Sequence, residues 1–384
     1  MENAAVNRPL PTSPPQPRRI LVRGTNWLGD AVMTTPALLR LREKFPQAHI
    51  TLACPEKLSD LWLNHPAIDQ IIPFSTSQGL FAVSKKMGAG RFDTALVFPN
   101  SPRSALEVFL ARIPRRIGYA RPWRNFLLNH ALAPRPEAVK MRKHSVAEIK
   151  RLVAGATGGT GLAGAAPTRA AHQMHEYLHL VAALGANPEP LPPLLFVTPQ
   201  EIESARKKFG LENVTDPILG LNPGAEYGPA KRWPADRFIA AAEGIQKRTN
   251  CVWLLFGGKN DNGITGQIAA ALSSSRVANH NLSGQTTLRE LMALLKLCRV
   301  LLTNDTGPMH LAAALGTPIV APFGSTSPEL TGPGLPGDPR HHLLKSNVPC
   351  SPCFLRECPI DFRCMKGIGT EAVVAAVVES GILA

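Results

Sequence analysis

The sequence is short of acidic residues, aromatic side chains and long apolar runs. Asp and Glu number 28 against 42 Lys and Arg, and Phe, Trp and Tyr together make up 6% of the 384 residues. No stretch approaches the ~18 uninterrupted apolar residues of a membrane span. The nearest candidates, around 291–302 and 372–378, are short and interrupted or bounded by polar residues. The opening twenty residues carry Pro9, Pro11, Pro14, Pro15 and Pro17 but lack the apolar core of a secretory signal. The expectation is a cytoplasmic protein with a disordered, Pro-rich leader over residues 1–18. The Gly-x-Gly-x-x-Gly dinucleotide fingerprint is also missing, which disfavours a NAD-dependent dehydrogenase. What remains, 44% hydrophobic and 18% charged, is the composition of a globular chain of two to three domains and excludes disorder as the main state.

Positive charge is present in excess and is unevenly spread. The net charge is +14. Residues 1–190 hold 24 Lys and Arg against 12 Asp and Glu, whereas residues 191–384 hold 18 against 16. Within 101–150 there are 11 basic and 3 acidic residues, among them Arg112, Arg115, Arg116, Arg121 and Arg124. A merely solvated surface accounts for the total more easily than for the asymmetry. The asymmetry points to a polyanionic partner: nucleic acid, an anionic membrane surface or a phosphorylated substrate. Only Tyr119 and Trp123 interleave with the arginines of 112–124, a thin basis for the stacking platforms of nucleic-acid binders.

Apolar runs at 20–23, 50–53, 68–74 and 95–98 alternate with helix-like segments, the first of them over 31–41. Such alternation predicts βαβ units and a parallel sheet. Residues 154–166 are nearly all Gly, Ala and Thr, a flexible loop or insertion. A helix over 172–184 precedes Pro188, Pro190, Pro192 and Pro193, which mark an interdomain linker. The second half repeats the pattern, with strands at 218–221, 252–256, 300–302 and 319–321 and helices at 235–247, 287–297 and 308–315. The predicted fold is α/β, two doubly wound domains facing each other across a cleft, over 19–188 and 194–350. A Cys-containing segment and a closing helix at about 370–378 occupy 351–384.

Four sites carry candidate chemistry. After the opening strand, Gly24-x4-Gly29 has the glycine spacing of a Walker A loop, but Asp30 and Ala31 stand where Lys and Ser or Thr are needed. A carboxylate there would repel a triphosphate. Asp30 is then either a helix cap or a general base held ionised by the positive end of the helix. The second site is the loop 221–234, where Gly224 and Gly228 let backbone amides approach an anion. Lys231 is a compact charge suited to a diphosphate, unless Lys231 and Arg232 are simply solvated. In the third, a strand ends in Thr303-Asn304-Asp305-Thr306-Gly307 and a helix begins. The amides of Thr306 and Gly307 favour a phosphate, and His310 lies on the same face as Thr306. Asp305 as a cap and His310 as a core histidine are the plain alternatives. The fourth is Cys350-x2-Cys353-x4-Cys358-x5-Cys364. A structural zinc suits four cysteines in a reducing compartment, but a single C-x2-C pair leaves it uncommitted. Cys54, Cys251 and Cys298 read as core residues.

Taken together, the segments 23–36 (RGTNWLGDAVMTTP), 222–234 and 304–316 (NDTGPMHLAAALG) resemble the lipopolysaccharide heptosyltransferases, glycosyltransferase family 9. The C-terminal CSPCFLRECPIDFRCM run looks like the heptosyltransferase II branch. The resemblance covers about residues 18–384. It implies a GT-B fold of two Rossmann-like domains, acceptor on the N-terminal one and nucleotide sugar on the C-terminal one. It also implies inverting transfer from ADP-L-glycero-D-manno-heptose to the heptosyl-Kdo2-lipid A inner core, with the first or a later heptose addition as the alternative. It maps the general base onto Asp30, the cation on the donor phosphates onto Lys231, and the donor-holding motif onto Asp305, Thr306, Gly307 and His310 beside Gly224. Some members carry a Glu for the donor ribose after the second strand of the C-terminal domain; here Asp261 is the substitute. Acceptor contacts fall to Asn26, Arg115, Arg116 and Arg121. No cofactor or metal is required on this reading. The partners are the donor, a phosphorylated Kdo-bearing lipid A acceptor and, peripherally, the anionic inner-membrane surface of a Gram-negative-type bacterium, with no nucleic acid. The rivals are a nucleotide-sugar epimerase, which would need no acceptor, and a non-catalytic binder of nucleic acid or another polyanion.

Overall fold

The computed structural model describes residues 16–75, 77–155 and 168–382. Most of the expected leader and of the Gly/Ala-rich stretch lies outside these residues.

Six strands, β1 (Arg19–Arg23), β2 (His49–Pro55), β3 (Gln70–Phe74), β4 (Thr94–Val97), β5 (Arg115–Tyr119) and β6 (His130–Leu132), form one sheet in the order 3-2-1-4-5-6. Six more, β7 (Ile218–Asn222), β8 (Val252–Leu255), β9 (Asn279–Asn281), β10 (Leu301–Thr303), β11 (Ile319–Phe323) and β12 (His341–Lys345), form a second in the order 12-11-10-7-8-9, the same winding repeated. All pairings are parallel. Parallel strands are covered on both faces by their crossover helices, so they read as unbroken apolar runs rather than alternating ones. Ile20, Leu21 and Val22 of β1, all wholly buried, follow this rule.

In the first half the helices are α1 (Leu28–Met33) and α2 (Thr35–Lys44) after β1, α3 (Leu80–Gly88) after β3 and α4 (Pro102–Leu110) after β4. Next come α5 (Val146–Gly155), α6 (Met174–Ala182) and α7 (Pro199–Lys208) between the sheets. The second sheet carries α8 (Ala235–Gln246), α9 (Asn262–Ser274), α10 (Leu288–Leu297) and α11 (Gly307–Ala314). The closing helix, Thr370–Val377, packs on α8.

Several elements differ from expectation. The helix expected over 31–41 is two helices that meet at Thr34, whose hydroxyl donates to the Ala31 carbonyl at 2.6 Å while Pro36 opens the second. The strands β5, β6, β9 and β12 and the helix α9 carry little of the expected pattern. β5 begins with two arginines, β9 is Asn-His-Asn, and α9 contains two glycines. The segment leading into α5 also leaves the N-terminal unit in which it was expected. The His144 amide donates to the Cys353 carbonyl at 3.1 Å, and Ile149 is buried with Cys350 and Cys353.

One apolar cluster runs from β1 through α1 and α11 to β10, so the two halves share a core. Backbone bonds reinforce the junction: Gln173 N–H to Leu330 at 2.9 Å and Leu195 N–H to Ala314 at 3.1 Å. The carboxyl ends of β1, β7 and β10 consequently open onto a common crevice, the usual ligand position in doubly wound sheets. Among the described residues no helix is long and apolar enough to cross a membrane.

Candidate active site

The crevice holds a cavity of ≈410 Å³ whose lining includes Asp30, Gln173, Lys231, Asp305, Thr306 and His310. Asp30 reaches it because the chain turns from β1 into α1 within four residues, with Trp27 as N-cap and Asp30 in the first helical turn. Asp30 is therefore not the cap itself. Its carboxyl lies above the ordinary carboxylate range. Burial pushes its pKa up to about 6, against the opposing effects of a hydrogen bond from Gln173 and the charge of Lys231, while Glu176 and Asp305 add to the rise. Desolvation is thus the largest influence on this carboxyl. Gln173 Nε2 donates to Asp30 Oδ1 at 3.3 Å and to the Tyr177 hydroxyl at 2.8 Å, which fixes the carboxylate from the α6 side.

The opposite wall comes from the loops after β7 and β10, which are neighbours in the second sheet. The wholly buried Asn304 side chain ties them together, accepting from Trp233 N–H at 2.9 Å and donating to the Pro223 carbonyl at 2.7 Å. Lys231 Nζ then lies 2.6 Å from Asp305 Oδ2 and 4.8 Å from the centre of the Tyr227 ring. Asp305 Oδ2 also accepts from Thr326 Oγ1 at 2.6 Å. Asp305 is therefore not the cap of α11, and its Oδ2 is shared between Lys231 and Thr326. The N-cap of α11 is Thr306, whose side chain makes no capping bond; Pro308 has no N–H and the Met309 amide donates to the Thr306 carbonyl at 3.1 Å, so the amides of Thr306 and Gly307 are the ones at the mouth of the helix. His310 is buried, and burial lowers its pKa to about 4, so it is a neutral imidazole at physiological pH.

Not every expected residue joins this cavity. Gly224 and Asp261 lie against each other beside it, with no space for a β-carbon on Gly224. Asp261 Oδ2 accepts from Gly258 N–H at 3.0 Å, and Oδ1 is 3.6 Å from Arg232. Asn26 is exposed and accepts from Arg23 Nη1 at 3.1 Å. Arg121 follows β5 on the crevice side, where its charge acts on Glu176. Arg115 and Arg116 do not, because they open β5 at the end of the sheet away from the crevice. Arg116 is spent on the Leu127 and Ile113 carbonyls, at 2.8 and 2.6 Å.

In the cysteine segment Cys350, Cys353 and Cys364 are buried and Cys358 is partly so. Among the described residues no three His, Cys, Asp or Glu side chains are placed to hold one metal ion, so the four thiols do not make the tetrahedral set of a structural zinc. Burial pushes the thiols of Cys350 and Cys353 up and that of Cys364 to about 11, while Cys358 Sγ accepts from Phe362 N–H at 3.3 Å. Between these cysteines the chain sends Phe354 and Arg356 into the wall of the crevice.

Residues 80–362 match the model of glycosyltransferase family 9 (heptosyltransferase). A lipopolysaccharide heptosyltransferase 2 of Salmonella typhimurium is 33% identical over 323 residues, covering 82% of this chain and 85% of that one. The chain belongs to glycosyltransferase family 9. A lipooligosaccharide heptosyltransferase 2 of Haemophilus ducreyi is 32% identical over 329 residues, with 82% and 86% covered. Among solved structures, the ADP-heptose lps heptosyltransferase II of Escherichia coli superimposes with a TM-score of 0.74 at 27% identity, covering 94% of this chain and 98% of that one. The two-sheet architecture is accordingly the GT-B fold, and the protein is a glycosyltransferase.

Within this family member, sequence reasoning passed over Gln173, Tyr177 and Thr326. Gln173 and Tyr177 are four residues apart, one helical turn, and their spacing alone places them on one face. Thr326 lies in Gly324-Ser325-Thr326-Ser327-Pro328, a strand-end turn before a helix start. That pattern is as legible as the one after β10. Met141 and Lys143, which also line the cavity, have no such signal, because α5 brings them there by packing on the cysteine segment.

Proposed function

We propose that this glycosyltransferase moves a heptose from ADP-L-glycero-D-manno-heptose to the heptosyl-Kdo2-lipid A inner core of lipopolysaccharide, as a heptosyltransferase II, with inversion at the anomeric carbon. Asp30 takes the proton of the acceptor hydroxyl. The hydroxyl oxygen forms its bond to the anomeric carbon from the face opposite the diphosphate. The bond from that carbon to the phosphate oxygen breaks, and ADP leaves with the electron pair. Lys231, aimed by Asp305, and the first amides of α11 receive the charge that develops on the leaving diphosphate. A base with a pKa near the working pH combines a large ionised fraction with useful basicity. Arg121 and the basic N-terminal half attract the anionic acceptor, and the enzyme works peripherally at the cytoplasmic face of the inner membrane.

The observation that carries the reading is Asp30, raised to about 6, in a crevice whose other wall carries Lys231. The test is ADP release from ADP-heptose with and without heptosyl-Kdo2-lipid A, in EDTA, by the wild type and by Asp30→Ala. Acceptor-dependent release lost in the variant is expected. Full activity of Asp30→Ala would refute its role as base, and release without acceptor would refute transfer.

A further inference from the structure

Large aromatic side chains are scarce in this chain, yet three of them stand in solvent on one domain. Phe81 is 76% exposed, Trp123 83% and Phe126 75%. Leu80, the neighbour of Phe81, joins Gly79, Arg103, Leu106, Trp123 and Phe126 in lining a concavity of ≈690 Å³. These residues come from the start of α3 and its N-cap, the first half of α4 and the loop after β5, so they lie at the carboxyl edge of the first sheet. Asp30 emerges at the same edge.

The aromatics are displayed by a built anchor. Arg124, between Trp123 and Phe126 in sequence, is wholly buried, and its Nη1 donates to the Pro99 carbonyl at 2.8 Å. Arg121 N–H donates to Asn125 Oδ1 at 2.8 Å and closes the same loop. Trp123 has a φ of 62°, a left-handed conformation that is uncommon for a bulky residue. The loop is thus pinned from below while two rings that contribute nothing to the core face outward.

The surrounding charge has one sign. Between residues 77 and 132 the acidic residues are Asp93 and Glu107. Glu107 is buried against Arg23, and Asp93 accepts from the amides of Arg18 and Arg19. Arg103 borders the concavity, and Lys85 lies one helical turn from Phe81 with Lys86 beside it, both exposed. Exposed rings with adjacent cations and no free carboxylate suit the interface of a bilayer, where rings sit at headgroup level and Lys and Arg meet anionic lipids.

We propose that this edge, built on Phe81, Arg103, Trp123 and Phe126, docks the enzyme on an anionic phospholipid bilayer with its crevice facing the headgroups. The inference deepens the reading of a lipid-linked acceptor and rests on it for the orientation. It favours a bilayer over single-stranded nucleic acid, for which the crevice beside the patch has no use.

The test is co-sedimentation of the full chain with vesicles of phosphatidylethanolamine and phosphatidylglycerol, with phosphatidylcholine vesicles as the neutral control. Wild type should bind the anionic vesicles, less so as salt rises. Trp123→Asn combined with Phe126→Ser, and separately Lys85→Glu with Lys86→Glu, should each weaken binding by about tenfold or more. Asn tolerates the left-handed conformation, so unfolding temperature and transfer to a delipidated heptosyl-Kdo acceptor should be unchanged. Equal binding by the variants, equal binding of wild type to neutral vesicles, or displacement of vesicles by a single-stranded oligonucleotide acting through the same residues would each overturn the proposal. Patch-dependent vesicle binding without any heptose transfer would overturn the function and leave the docking surface standing. Transfer to the delipidated acceptor with patch-independent vesicle binding would do the reverse.

Discussion

A β-carbon on Gly29 would stand 2.8 Å from Cδ2 of His310, so the first turns of α1 and α11 meet with no room for a methyl group. The relationship is reciprocal: a β-carbon on Gly307 would stand 2.8 Å from Cδ2 of Leu28. The two glycines set how closely Asp30, beside Gly29, approaches the start of α11. Within a helix, Gly→Ala is stabilising by itself, by about 0.8–1.0 kcal/mol, so any loss in Gly29→Ala reports the contact between domains. A displacement near 1 Å is expected to lower kcat/KM by on the order of 10²-fold. Steady-state kinetics beside thermal unfolding checks this: a folded Gly29→Ala with wild-type kcat/KM would mean that His310 simply turns aside.

The raised pKa of Asp30 has consequences for rate and for stability, with opposite signs. The base must be ionised, so log kcat/KM should fall with unit slope as pH drops below about 6 and level off above it. Gln173→Leu removes a hydrogen bond that lowers the Asp30 pKa, and should move this limb to higher pH; a residue of purely structural importance would lower the plateau without moving the limb. For stability, the folded protein holds the Asp30 proton up to about 6, while the unfolded chain releases it near 3.8. Between these values the folded state binds more protons, so this group's contribution falls as pH rises and is lost above about 6. Asp30→Asn removes the buried charge and should be more stable than wild type at pH 7.5 by up to about 3 kcal/mol, yet inactive. Denaturant unfolding at pH 3.5, 5 and 7.5 tests it, the difference being expected to be small at the lowest pH, to grow between about 4 and 6, and to be complete at pH 7.5.

The repeated winding and the three crevice loops were readable in the sequence because their strands are sealed on both faces and end in Gly, Asn and Asp. Of the edge strands only β3 was; β6, β9 and β12 were not. β9 and β12 are only partly buried and carry Asn, His and Lys, so periodicity does not mark them. The charge count misled for a related reason. Arg124 is wholly buried and Arg116 caps carbonyls, so part of a basic cluster that looked like a binding surface is framework. That Asp30, Lys231 and Asp305 come together in one crevice was visible from the loops that carry them. The contact between Asp305 and Lys231 was not, because 74 residues separate the pair.

Lys231 and Asp305 form an ion pair with side-chain exposures of 14% and 5%. Removing one member of a buried pair strands the other and is expected to cost about 3–5 kcal/mol, whereas removing both avoids the stranded charge. Lys231→Ala should therefore be markedly less stable than Lys231→Ala with Asp305→Ala, while both lose on the order of 10²–10³ in kcat. Asp305→Asn keeps Lys231 but loses its aim, and should lower kcat with the fold intact. A double-mutant cycle read by denaturant unfolding and by kcat separates the two effects; additive stability changes would show that the pair is not coupled.

Ile149 is 1% exposed and packs with Cys350 and Cys353, which makes it the pin that holds α5 on the cysteine segment. Met141 and Lys143, just before that helix, line the crevice together with Phe354 and Arg356 from the segment it rests on. Ile149→Ala removes roughly 2–5 kcal/mol of packing, but the loss falls on a helix outside both sheets. It should therefore appear as local opening rather than global unfolding. Hydrogen exchange should speed up across 144–155 and 348–360 while the strands keep their protection. Phe354 and Arg356 are also tied to the Lys231 loop, where the Tyr227 hydroxyl donates to the Phe354 carbonyl at 2.8 Å and the Ala230 amide to the Arg356 carbonyl at 3.0 Å. The loss should therefore fall on Met141 and Lys143, and the KM for the acceptor should rise about tenfold with the donor KM unchanged, the loss of one contact of roughly 1.4 kcal/mol. Equal increases in both would show that α5 also supports the Lys231 loop.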